Sequence, residues 1–174
     1  MRLSLLPILA LCACSSIVPS TVARLSTLSP TTADPAGFAV LMTLPDGLGV
    51  QRGSARLIFS ARRTDTGETL QEDVILERDA GAQLFRIAAA DYARLRAAQA
   101  TARLWETQNK DATQGALSVH VAACKIGAGP DPDARVSVAI QTTQGGEFQP
   151  LVRNGPLSAI ASAAQIRDMG ACLS

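Results

Sequence analysis

The chain has 174 residues, is 47% hydrophobic and carries a formal net charge of +1. That length suits one ordinary domain with material for a core. The neutral balance excludes the basic footprint of a nucleic-acid binder, and with lysine only at 110 and 125 there is no polybasic patch for membrane adhesion. Aromatic residues make up 3% of the chain, too few for the stacking platforms of single-strand nucleic-acid binding.

The chain opens with Arg2 followed by an apolar run from Leu3 to Leu11. A nine-residue run is too short to span a bilayer and reads as the h-region of a secretory signal peptide. The run ends in Leu11-Cys12-Ala13-Cys14, which resembles the lipobox of bacterial lipoprotein precursors. That resemblance covers about the first 16 residues. It implies cleavage before Cys14 and a fatty-acyl anchor, palmitate among its chains, on that cysteine. Cleavage before Cys12 would put bulky Leu11 where a small residue belongs. Ser15 is not the aspartate that holds many such proteins at the inner membrane. The resemblance therefore implies the outer membrane, facing the periplasm.

Residues 1–13 are thus expected to be the signal peptide. Residues 14–36, rich in Ser, Thr and Pro, are expected to be a lipidated tether, although the apolar residues between Val22 and Leu28 suit packing on the domain. Residues 37–174 are expected to be one globular domain. Phe38 to Leu44 alternates as a strand, stopped by Pro45-Asp46-Gly47. Further strands are expected over 55–62, 70–76 and 83–87, separated by Thr64-Asp65-Thr66-Gly67 and Asp79-Ala80-Gly81. Residues 88–108 contain neither Gly nor Pro. There Tyr92, Leu95, Ala98, Ala102 and Trp105 recur at helical spacing, so a helix should bury that stripe and turn Arg94, Arg96 and Arg103 to water.

Residues 117–124 alternate as a fifth strand and 135–142 as a sixth. Gln144-Gly145-Gly146 signals a hairpin into a seventh strand over 148–152, which Pro150 confines to an edge. Pro156 suits the start of a short helix reaching about Arg167. The fold class is then α+β, mainly antiparallel: a two-layer sandwich-like domain of about seven strands with one long helix and a short C-terminal helix. The alternative is a single sheet with both helices on one face.

Cys12 leaves with the signal and Cys14 carries the lipid, so Cys124 and Cys172 remain. A pair in an exported chain reads as a disulfide; two free thiols are the alternative. No second thiol or histidine pair accompanies them, and no metal or cofactor is expected. His120 is the sole histidine and lies on a strand without a triad partner nearby in sequence. Asp131 and Asp133 lack the further acids of a calcium loop. Gly127 and Gly129 lack the helix and third glycine of a nucleotide fingerprint. Glu72, Asp73 and Glu77 share one strand and frame no cleft. No catalytic residues are assigned. The expected role is a non-enzymatic, membrane-anchored envelope module with a protein partner. Its rivals are a carrier or sensor of an apolar ligand, betrayed by a cavity between sheet and helix, and an envelope hydrolase.

Overall fold

A computed structural model describes residues 29–79 and 83–173. The expected signal peptide, Cys14 and most of the expected tether lie outside the described residues. Among the described residues, no helix is long and apolar enough to cross a membrane.

The chain forms β1 (Ala39–Thr43), β2 (Leu48–Val50), β3 (Arg56–Arg63), β4 (Thr69–Arg78), β5 (Leu84–Ile87), α1 (Tyr92–Gln108), β6 (Thr113–His120), β7 (Ala123–Lys125), β8 (Arg135–Gln141), β9 (Gln149–Pro156) and α2 (Ala163–Arg167). Seven strands make one curled antiparallel sheet in the order β6-β3-β4-β5-β1-β8-β9, and β2 pairs with β7 as a separate ribbon. The α+β class, the antiparallel pairing and both helices are as the sequence implies. α1 packs over β3, β4 and β6, and Val50 of the ribbon packs against the same core. Pro150 lies in β9, an edge strand, the place in a sheet where a residue without an N–H is tolerated.

The residues of α1 are mostly strong helix formers. Leu95, Ala98 and Ala102 are buried, and Tyr92 and Trp105 pack at the two ends of the same stripe. They meet the inward residues of the sheet, among them Leu57, Phe59 and Ala61 of β3 and Val74 and Leu76 of β4. The helix arginines lie outside, as expected. Arg94 pairs with Glu72 and Asp91, and Arg96 lies over the Tyr92 ring, 5.5 Å from its centroid. At the far end of the helix, Arg63 donates to both Asp65 oxygens, at 3.1 and 2.9 Å. That grip, with a further bond from Asn109, holds the Asp65 carboxyl down at about 2.

Several boundaries differ from the sequence reading. β9 runs on to Pro156, and α2 starts at Ala163 behind a Ser162 cap, not at Pro156. The domain begins before Gly37, because the end of the expected tether docks on α1. Thr31 is fully buried, with its hydroxyl donating to the Glu106 carboxylate. The Gln99 amide donates to the Pro30 and Ala33 carbonyls at 2.9 and 2.7 Å, and Asp34 pairs with Arg96 at 2.8 Å. A Ser/Thr/Pro-rich segment reads as solvated chain, but here side chains of the helix satisfy its polar backbone in place of water.

The run expected as one fifth strand is two, β6 and β7. β6 follows β3 until His120 meets Arg56, the first residue of β3. Beyond that point the ladder has no partner. The Ser54 hydroxyl takes over, accepting from Ala122 N–H at 3.1 Å and donating to Ala122 O at 3.3 Å. The chain then pairs with β2, a three-residue strand too short to leave a period in the sequence.

Candidate functional site: an apolar cavity beside the helix

The curl of the sheet leaves space that α1 does not fill. Val40 and Met42 of β1, Val138 of β8 and Leu151 of β9 form its floor. Leu48 and Val50 of β2 with Ala123 of β7 close one side, and Val119 and Val121 reach in from the end of β6. The fourth wall is the C-terminal segment, contributing Ile160, Ala161, Ala164 and Met169. The cavity, open to solvent on one side, is about 610 Å³, within the range of small-molecule sites.

Its depth is apolar, with Val40, Met42 and Leu48 buried. Its mouth is marked by Val121 and Ile160, each 40% exposed despite being large and hydrophobic. Only two lining side chains are polar, Gln165 and Asp168 on and just after α2. Both are exposed, so they stand on the solvent side. Gln165 belongs to a capping box: Ser162 Oγ accepts from its N–H, and its Oε1 accepts from Ser162 N–H at 2.8 Å. This box starts a helix of only five residues by satisfying its first free donors.

The C-terminal wall is secured at its end. The Cys124 and Cys172 sulfurs lie at disulfide distance, 2.02 Å, with their Cα atoms 4.8 Å apart. Around that link, Lys125 N–H donates to Gly170 O at 2.8 Å and Cys172 N–H to Lys125 O at 2.9 Å. Leu173 N–H donates to the Gln51 side chain. Gly49 of β2 faces the bridge, and a Cβ there would lie 2.9 Å from Cys172 Sγ. Gly47 holds a left-handed φ of 80°, and a Cβ on it would lie 2.2 Å from Gly129 O. Both glycines let the ribbon close against its neighbours.

The other residues singled out in the sequence lie elsewhere. His120 is exposed at the end of β6, and among the described residues no hydrogen bond reaches its ring. Asp131 accepts from Asp133 N–H at 2.8 Å, a local turn bond of the Asx type. Gly127 and Gly129 take positive φ in a turn closed by Gly129 N–H on Ile126 O. Glu72 and Asp73 pair with Arg94 and Arg56. Among the described residues, no group of three or more His, Cys, Asp or Glu is placed to hold a metal.

The cavity itself has no linear signature. Its lining comes from six strands, each supplying one or two apolar residues that also look like core, and from four apolar residues of the C-terminal segment. The chain's many alanines are the one sequence feature in keeping with an underfilled sheet. Comparison with family models, with curated proteins and with solved structures finds no match, so the functional reading of this fold rests on the cavity.

Proposed function

We propose that this chain is a lipid-anchored, non-enzymatic domain of the bacterial envelope that holds a small apolar molecule, as a carrier or sensor. The observation that carries the reading is the cavity of about 610 Å³ lined almost wholly by aliphatic side chains. A concave, preformed and apolar site suits a small ligand better than the flatter face of a protein partner. The anchor rests on the lipobox resemblance at Cys14.

Filling the cavity tests the binding reading. Val138 is half-buried in its floor, so Val138→Phe places added bulk in open space, where overpacking in a filled core would cost about 1–3 kcal/mol. The expected result is Nile red binding weakened at least about tenfold, a loss of about 1.4 kcal/mol, with the melting temperature almost unchanged. Unaltered Nile red binding to a folded Val138→Phe variant would sink the reading. The anchor has its own test. Mass spectrometry of the mature protein should find acyl chains on an N-terminal Cys14, each methylene contributing roughly 0.8 kcal/mol to membrane retention. Cys14→Ser should shift the protein to the soluble fraction. A mature N-terminus elsewhere, or an unmodified Cys14, removes the anchor from the proposal.

A further inference from the structure

The curled sheet has two edges, β6 and β9, and they are built differently. The β9 edge is interrupted. It contains Pro150 and Pro156, its register against β8 shifts twice, and Asn154 takes a positive φ of 46°. Such irregularities discourage the addition of a further strand. The β6 edge has none of them. It runs for eight residues, Thr113–His120, in unbroken register with β3, and contains no Pro, Lys, Arg, Asp or Glu.

The groups that β6 leaves free follow from the pairing of β3. Leu76 N–H reaches Ala55 O and Arg63 N–H reaches Glu68 O, so the odd-numbered residues of β3 turn their backbone to β4. The even-numbered ones bond β6, and Thr64 N–H on Ala112 O continues that series. Gly115, Leu117 and Val119 stand opposite Ala61, Phe59 and Leu57. Their N–H and C=O groups therefore point away from the sheet, because bonding alternates along an antiparallel pair. Among the described residues, none of these groups has a hydrogen-bond partner.

We propose that β6 pairs antiparallel with β6 of a second copy, Leu117 opposite Leu117, joining the two sheets edge to edge. This register sets Gly115 opposite Val119 of the second copy and engages all the free backbone groups of the three residues. A second copy fits this edge better than an unrelated peptide because the strand complements itself. On the inner face, bulky Val119 meets a glycine, and half-buried Leu117 gains apolar cover. On the outer face, Ala116 meets Ser118, and Gln114 meets His120, whose ring has no other hydrogen-bond partner among the described residues. No like charges are brought together.

Sedimentation of the mature chain carrying Cys14→Ser, over a concentration series, tests this. With β6 unaltered, the chain should form a reversible dimer with a Kd in the micromolar range, as suits a small interface. Gly115→Pro removes an outward N–H and leaves the β3 ladder intact. Two such losses in the dimer should weaken it about tenfold or more. Ala116→Lys combined with Ser118→Lys sets lysine opposite lysine twice on an exposed face, and should weaken it to a similar degree. Both variants should keep the melting temperature of the monomer. If Gly115→Pro fails to fold, the paired lysines decide alone. A monomer at every concentration up to the millimolar range overturns the proposal and leaves the edge to an extended peptide of another protein. A dimer insensitive to the paired lysines also overturns it, since the copies then meet elsewhere. Nile red binding is read separately in the same samples, so loss of the cavity reading and loss of this one are distinguishable.

Discussion

Replacing both Cys124 and Cys172 with serine should lower stability by up to about 4 kcal/mol, the chain-entropy value for closing a loop of this length. The separation is 48 residues, and the loop contains β8, β9 and α2. For a domain of this size, the corresponding drop in melting temperature is roughly 10 °C. The loss should fall unevenly on the molecule. The C-terminal wall is covalently attached to the ribbon only through this bond, and otherwise by the Lys125, Cys172 and Leu173 backbone bonds. A small cluster of Leu48, Val136, Val152 and Leu157, with Ile166 and Met169 packed on it, holds its middle. Hydrogen exchange should therefore rise first over 157–173, and Nile red affinity should fall together with it. Thermal melts of wild type and the double variant, with and without reductant, provide the measurement. Coincident melts of the oxidised protein and the variant would show that the noncovalent contacts suffice.

Phe59→Ala should cost about 3–5 kcal/mol, the range for removing a large aromatic side chain from a core. Phe59 is fully buried at the middle of β3, the strand paired along its length with β6 and β4. Its ring belongs to the main core with Leu57, Val74 and Leu95. Three elements converge there, and the backbone of a strand paired on both sides cannot collapse into the void. Urea denaturation should show a lower midpoint at nearly unchanged slope. Leu104→Ala, on the exposed face of α1, should fall within about 0.5 kcal/mol of wild type. Equal losses at the two positions would contradict this account of where the core lies.

Most of the elements were legible because their cause is local. Period two marked β1, β3, β4, β5 and β8, and a stretch of helix formers with apolar spacing marked α1. The hairpin between β8 and β9 was written in Gly145 and Gly146, and the edge position of β9 in Pro150. Helix-face burial was legible too, save for Gln99. That residue lies 3% exposed because the Pro30 and Ala33 carbonyls come to meet it, and no pattern within the helix announces a distant partner.

The remainder depends on chain segments far apart. One alternating run became β6 and β7 because β3 begins at Arg56 and cannot pair with residues beyond His120. The short strand β2 exists only because β7 is there to receive it. The cavity follows from how the curled sheet, the ribbon and the C-terminal segment come to rest against one another. By itself the sequence determined the strands, the long helix, the pairing class and the two cysteines available to bond, since periodicity, turn chemistry and residue counts act within a few neighbours. Only the tertiary structure decided that the apolar surface is not all spent on the core. Whether a valine or methionine packs against a neighbour or faces an open space depends on the volume enclosed between elements, which no local pattern of residues records.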